Sequence, residues 1–246
     1  MLTGIIADIH SNIEALTSVY EKLKEQSCDN IFCLGDVIGY GASPVECIDF
    51  VREKNIKCIK GNHDHYVNAE INDSKMHEFA REAILWTRRQ LPESYRQWLN
   101  DLPFKLDMDG LTFVHSSLEA VDGASWPYIL GTDSALFHFF LQDCRFCFYG
   151  HTHIPLVFTY GKRKIDLEML KHDKPLETNS SVKYLLNPGS VGQPRDFDSR
   201  ASFIIFDHDA AVIRTFRVEY EFKKAQKKIS DAGLPAMLAQ RLSFGI

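Results

Sequence analysis

No stretch of this 246-residue sequence is apolar for long enough to span a bilayer, and its first residues lack the basic flank of a secretory leader. Cysteine is sparse. Six are scattered along the chain, and Cys33, Cys58, Cys144 and Cys147 lie inside apolar runs. That distribution excludes a disulfide framework and fits reduced, buried thiols. Cys144-Arg145-Phe146-Cys147 falls on an expected strand, where positions three apart point to opposite faces. A shared metal or redox role for that pair is therefore not expected. Internal repeats, low-complexity tracts and a clean linker are missing too. So is an excess of positive charge: the net charge is −5, and the surface as a whole does not gather polyanions. Two basic clusters stand out, Gly161-Lys162-Arg163-Lys164 and Lys223, Lys224, Lys227 and Lys228. Neither has interleaved aromatics to stack bases, and they read as a hairpin tip and a solvated helix face. The expectation is a soluble cytoplasmic protein, a single domain over residues 1–246, with neither nucleic acid nor membrane as partner.

What the chain does have is five short islands of Asp, Asn and His. They are Asp8-Ile9-His10, Gly35-Asp36, Gly61-Asn62-His63-Asp64, His115, and Gly150-His151-Thr152-His153. Four of the five follow an apolar run of the kind that makes a buried strand. Ser11-Asn12-Ile13-Glu14 reads as a capping box opening a helix to about Gln26. Asn30 to Leu34 reads as a strand, Ser43-Pro44 starts a helix to about Lys54, and Ile56 to Ile59 reads as a third strand. This rhythm implies parallel strands with crossover helices, whose carboxyl ends collect functional groups. Asp8, Asp36 and Asn62 each sit just past such an end.

From Ser74 to about Leu102 the pattern is helical and carries Trp86 and Trp98, so residues 66–103 could form a lid inserted over the site. Asp109-Gly110 is a two-residue hairpin signal between Phe104–Asp107 and Leu111–Val114. Thr132–Gln142 reads as a helix and Phe146–Tyr149 as a strand. Leu156–Tyr160, Lys183–Leu186, Ala201–Phe206 and Val212–Val218 follow as strands, mostly antiparallel by their short connections. Lys171–Ser181 reads as a polar loop, and two terminal helices cover Glu221–Ala232 and Leu234–Leu242. The Phe-rich run Leu136–Leu141 reads as core.

The donor types define a chemistry. Phosphoester cleavage needs an activated water, neutralised phosphoryl oxygens and a protonated leaving group. Two metals about 3.5–4 Å apart supply the first two. Imidazole, Asn and Asp donors suit Mn, Fe, Zn, Co or Ni. If the extended backbone continues past Asp8, strand alternation brings Asp8 and His10 to one ion, and the same holds for His151 and His153. Taken alone, His10 or His115 would be read as a structural histidine, and Asp36 or Asn62 as a turn residue. The joint, ordered pattern reverses those readings.

In that order, the five blocks resemble the calcineurin-like metallophosphoesterases, whose signature is DxH, GD, GNH(D/E), a separated H and GHxH. The match runs from residue 8 to residue 153, and Leu186–Arg195 also looks like a segment of small bacterial and archaeal members. The resemblance implies an α/β fold, a four-layer α-β-β-α sandwich of mixed sheets flanked by helices. It implies two divalent ions, with Asp8, His10 and His153 on one, Asn62, His115 and His151 on the other, and Asp36 bridging. It implies in-line attack on phosphorus by a hydroxide between the metals. His63 would be the general acid, or would stabilise charge at the leaving oxygen, with Asp64 orienting it. The implied substrate is a small phosphodiester or phosphoanhydride, such as a nucleotide or dinucleoside polyphosphate, as in the small phosphodiesterase and diadenosine-tetraphosphatase-like branch. A Ser/Thr-type protein phosphatase and a non-catalytic scaffold are the alternatives; the presence of His63 favours an enzyme. One departure is Ser116, where many relatives have glycine after the histidine.

Three further residues are candidates beside the metal set. Asn12 could reach a substrate phosphate or simply cap its helix. Arg195, in a Gly/Pro-rich loop, could clamp a phosphate oxygen. Tyr40 could line the pocket. His65, His77, His138, His172 and His208 match no motif and read as structural or surface residues.

Overall fold

The computed structural model describes residues 1–69 and 77–246. The first half runs β1 (Leu2–Ile6), α1 (Ile13–Glu25), β2 (Asn30–Cys33), α2 (Pro44–Glu53), β3 (Lys57–Cys58), α3 (Asn62–Tyr66), α4 (Glu78–Gln90) and α5 (Glu93–Asp101). It continues with β4 (Lys105–Met108), β5 (Leu111–Val114), α6 (Thr132–Leu141), β6 (Phe146–Phe148), β7 (Pro155–Gly161) and β8 (Lys164–Met169). The chain then forms β9 (Leu176–Glu177), β10 (Lys183–Pro188), β11 (Ala201–Asp207), β12 (Val212–Val218), α7 (Phe222–Asp231) and α8 (Ala236–Phe244).

Two six-stranded mixed sheets face each other, ordered β3-β2-β1-β11-β12-β9 and β4-β5-β6-β10-β7-β8. Strand alternation sorts the apolar side chains into layers. On β1, Ile5 and Ala7 enter the core between the sheets, while Ile6 faces α1 and α2. On β11, Ile204 and Phe206 point between the sheets and Phe203 and Ile205 point to the helices. On β6, Phe146 and Phe148 point inward and Cys147 faces α6. These strands are buried on both faces, which is why they read as unbroken apolar runs. The result is the expected helix–sheet–sheet–helix sandwich.

Local chemistry sets several boundaries. Asp109 and Gly110 both take positive φ, 54° and 76°, as a tight hairpin between β4 and β5 requires. Lys162 and Arg163 do the same at the β7–β8 tip. The expected helix from Ser74 begins outside the described residues, and from residue 78 on it is two helices. Leu91 is extended (ψ 123°) ahead of Pro92, whose ring disfavours a helical predecessor.

Three expectations need correction. The N-cap of α1 is Asn12, not Ser11: Ala15 N–H donates to Asn12 Oδ1 at 3.1 Å, and Ser11 Oγ instead accepts from Gly39 N–H. The strand β8 was not expected, and the polar stretch from Lys171 to Ser181 contains β9, which pairs with β12. The later strands are mostly antiparallel, as their short connections implied, with the single parallel pairing of β10 to β6. Finally, the Phe-rich run is only half core. Phe139 and His138 are buried, whereas Phe137 and Phe140 are 64% and 74% exposed, since α6 covers its sheet with one face only.

Phe148 packs fully buried between the sheets against Phe113 and Phe206. Phe148→Ala should cost about 3–5 kcal/mol in denaturant unfolding, against less than about 0.5 kcal/mol for Phe140→Ala. Equal effects at the two positions would contradict this layering.

Candidate metal centre

The two parallel trios, β1-β2-β3 and β5-β6-β10, bring their carboxyl ends together, and the five islands lie just past those ends. The loops after β1 and β2 are stitched by backbone bonds: Asp8 N–H donates to Gly35 O, His10 N–H to Asp36 O and Ser11 N–H to Val37 O, at 2.9 to 3.1 Å. The backbone does not stay extended past Asp8. Asp8, His10, Asp36, His151 and His153 all lie in the left-handed region, with φ between 48° and 66°. Each costs about 1–2 kcal/mol for a non-glycine residue. Asp8 and His10 therefore converge through a left-handed turn rather than through strand alternation. Five strained residues in one cluster, all bearing donor side chains, mark a functional site.

Asp8, His10, Asp36, His115 and His153 are at most 2% exposed and His151 is 6% exposed. Asp36 Oδ2 lies 3.6 Å from His10 Nε2 and 3.4 Å from His115 Nε2, so one oxygen faces both halves of the set. His153 Nε2 stands 3.6 Å and His10 Nε2 4.0 Å from Asp8 Oδ1. Asn62 Oδ1 is 3.0 Å from His115 Nε2. Gly61 permits this approach: a Cβ there would stand 2.1 Å from Asp36 Oδ1.

The second ring nitrogens decide what these groups can bind. His10, His115 and His153 each turn Nδ1 to a backbone carbonyl, of Ile38, Leu34 and Gln193, at 3.2, 2.7 and 2.6 Å. A carbonyl only accepts, so each Nδ1 carries a proton; Nε2 presents a lone pair in the neutral rings of His10 and His153, and would do so in His115 once its second proton is displaced. His151 is reversed. Its Nε2 faces the Trp126 carbonyl at 3.1 Å, which leaves Nδ1 as its free donor atom. His10 and His153 thus bring two Nε2 atoms 3.0 Å apart, which a shared proton or a metal ion would satisfy. Donor spacings of 3.0 to 4.0 Å across the set are short enough for several groups to share an ion. The oxygen and imidazole donor set, in the groups Asp8–His10–His153 and Asp36–His115–His151, fits divalent ions.

The electrostatics of the chain itself agree. Burial lowers His10 and His153, and it takes His151 down to about 3, leaving all three neutral at pH 7. Burial opposes charge on His115 as well, but Asp36 and Asp8 outweigh it and raise that ring to about 9. Burial raises Asp8 to about 7; the same burial acts on Asp36, where His115, His63 and His10 prevail and lower it.

His63 N–H donates to Asp36 Oδ1 at 2.8 Å. Its ring lies 4.9 Å from that of His10 and 4.4 Å from that of Tyr40, and its Nδ1 is buried against Gly39 without a hydrogen bond. Asp64 does not reach that ring. Its carboxylate accepts the N–H groups of Val37, Ile38 and Gly61 at 3.0 to 3.3 Å and so fixes two site loops against each other. Asn12 also departs from its substrate reading. Its Nδ2 donates to Gly192 O at 2.9 Å while its Oδ1 caps α1, so both ends are engaged.

Above the donors opens a cavity of about 270 Å³ whose lining includes Asp36, Asn62, His63, His151, His153, Tyr40 and Arg195, together with His77 and Ala80 beside α4. Sequence reasoning missed Tyr66, Trp126 and Tyr128 in this wall. Tyr128 stacks on His151 with ring centres 4.1 Å apart. Ser116 Oγ donates to the Pro127 carbonyl at 2.5 Å and pins that aromatic loop, which gives the departure from glycine a function. The signal was the Trp126-Pro127-Tyr128 cluster between two histidine islands.

Comparison with known proteins places these features in context. Residues 1–211 match the calcineurin-like phosphoesterase superfamily domain. An uncharacterized protein of Methanocaldococcus jannaschii is 36% identical over 250 residues, covering 99% of this chain and 98% of that one. The crystal structure of a metallophosphoesterase from Sphaerobacter thermophilus superimposes with a TM-score of 0.87 at 36% identity, covering 100% of this chain and 99% of the other. A symmetrical bis(5'-nucleosyl)-tetraphosphatase of Actinobacillus pleuropneumoniae is 31% identical over 74 residues, 29% of this chain and 27% of its own.

Metal ligands must be deprotonated, so loading displaces the proton that His115 holds up to about 9 and part of that on Asp8, held up to about 7. Metal addition at pH 7 should therefore release roughly one proton or more per chain, and affinity should rise from pH 6 to 9. Calorimetry in two buffers of different ionisation enthalpy measures this; net proton uptake would contradict the assignment.

Proposed function

The chain belongs to the calcineurin-like phosphoesterase superfamily, and from that premise we propose that it is a dinuclear metal-dependent hydrolase of small phosphodiesters or phosphoanhydrides. One observation carries the reading: Asp36 turns a single carboxylate oxygen toward both His10 and His115, at the floor of a cavity that also presents His63 and Arg195. In this reading Asp8, His10 and His153 hold one ion, Asn62, His115 and His151 the other, and Asp36 both. Two divalent ions bound there would neutralise phosphoryl oxygens and acidify a water. Manganese, iron, zinc, cobalt and nickel all suit the donors.

The chain's own residues supply the rest. Among the described residues the Arg195 side chain bonds neutral partners, the Tyr40 hydroxyl and Gln193 Oε1, and would offer its guanidinium to a phosphoryl oxygen. His63 sits at the cavity wall. Burial lowers its pKa to about 4, so the ring is neutral at pH 7 until an anion beside it restores the proton. A bound phosphate is such an anion, and His63 then serves the departing oxygen as acid or hydrogen-bond donor. The wall of Tyr66, Trp126 and Tyr128 limits water around the reacting centre. Residues 1–246 would form one domain in which the described parts of the 66–103 segment wall the site, because Tyr66, His77 and Ala80 line the cavity and Leu99 of α5 is buried in the core. The tetraphosphatase similarity, though local, supports a nucleotide-type substrate. Six free cysteines support a reducing compartment such as the cytoplasm, and no helix among the described residues is long and apolar enough to cross a membrane.

A panel of monoesters, diesters, dinucleoside polyphosphates and phosphopeptides, run with each divalent ion, tests the reading. Loaded protein that leaves both bis-p-nitrophenyl phosphate and dinucleoside polyphosphates intact would refute it, and preferential turnover of phosphopeptides would favour a protein phosphatase instead.

His63→Ala should lower kcat by about 10²-fold or more with metal content near wild type; loss of both ions would make His63 a ligand rather than an acid. Asp36→Asn should weaken both ions together, measured by metal analysis after dialysis. Two tightly held ions with full activity would remove Asp36 from the bridging position.

A further inference from the structure

The chain beyond residue 211 lies outside the superfamily match, yet it builds a wall of a second cavity of about 370 Å³. This cavity shares Tyr40, Tyr128 and Arg195 with the one above the donor array, and Met237 and Arg241 of α8 close its far side. The placement of α8 follows from packing. Leu238 and Leu242 join Ile229 of α7 and Ala83 of α4 in one buried cluster, and Lys228 of α7 is tied to Glu14 of α1 at 2.7 Å.

Two guanidinium groups therefore border one continuous space. Arg241 donates through Nε to a carboxylate oxygen of Ile246, the last residue of the chain, at 2.8 Å, whereas the side chain of Arg195 bonds, among the described residues, the neutral groups already named. No carboxylate side chain among the described residues pairs with either one. Arg195 Nε is buried without any partner, and after burial itself the charge of Arg195 is the largest influence lowering Arg241. Arg195 is the less compensated of the two, and an anion in the cavity would give it the charged partner that no described side chain supplies. Met237, 44% exposed, and Phe79 give the same cavity an apolar side.

We propose that this second cavity binds the phosphate next to the scissile one, so that the enzyme selects phosphoanhydride-linked nucleotides over simple diesters. The inference rests on the phosphoesterase reading. In the reaction it implies, a water oxygen forms a bond to phosphorus as the bond to the anhydride bridge breaks. The electron pair leaves with the departing phosphate, whose charge Arg195 and Arg241 meet, and the water's proton passes to solvent. Met237 and Phe79 would receive the attached nucleoside.

The test uses metal-loaded, full-length protein. kcat/KM is measured for diadenosine tetraphosphate and for bis-p-nitrophenyl phosphate in wild type, Arg241→Ala and Arg241→Lys, with the Kd of a methylene-bridged tetraphosphate analogue measured by calorimetry. Arg241→Ala should lower the ratio of the two kcat/KM values and raise the analogue's Kd, each by about tenfold or more, with Arg241→Lys intermediate because it keeps charge but not the fork. Either readout remaining within about twofold of wild type would overturn the subsite. Wild-type protein that cleaves neither compound would instead overturn the phosphoesterase reading, and the analogue's Kd would still decide the subsite.

Discussion

Two carboxylates buried beside each other are the constraint on which this structure turns. Asp8 and Asp36 are almost wholly removed from water, and each raises the cost of charge on the other. A buried charge is tolerable only when paired and hydrogen-bonded. His151 N–H donates to both Asp8 oxygens at 3.1 and 3.2 Å, and His63 N–H serves one oxygen of Asp36. Those bonds leave the inward side of the pair without a counter-charge except for His115. Metal ions held on that side would resolve the imbalance, and the surrounding histidines form groups that could hold them.

That readiness is built in the backbone. Three carbonyls, of Leu34, Ile38 and Gln193, fix three imidazoles in one tautomer, and the Trp126 carbonyl fixes His151 in the other. The carbonyls come from loops after β2 and β10 and from the aromatic loop that Ser116 anchors. Five left-handed residues store strain that these loops hold through inter-loop bonds such as those to Asp64. A site preorganised in this way binds ions with little rearrangement, because the ordering of its ligands is part of folding.

The C-terminal helices extend the same logic outward. They lie beyond the superfamily match, pack on α4 through a small apolar cluster, and bring Arg241 toward Arg195. A shared catalytic floor and an added wall are separable parts. In the proposed function the floor would determine which bond is broken and the wall which groups beyond that bond are accommodated.

Much of this was written locally. The ordered islands named the candidate donors, and the structure gathers them past the strand ends into groups that could hold metal. The α-β-β-α layering was legible from the apolar periodicity together with that resemblance. What sequence could not show was orientation. Asn12 satisfied its helix and Gly192 instead of a ligand, Asp64 satisfied three amides instead of His63, and Phe137 and Phe140 faced outward on a helix whose other face was already sufficient. The parallel trio β5-β6-β10 was hidden because strand direction depends on crossovers between distant segments. Sequence alone determined which atoms are available for metal and phosphate, since donor type is a property of the residue. Only the tertiary structure decided which lone pairs face one another and which are engaged elsewhere, because that depends on carbonyls, amides and guanidiniums far apart in the chain meeting at one place, as Asn12 and Gly192 do across 180 residues.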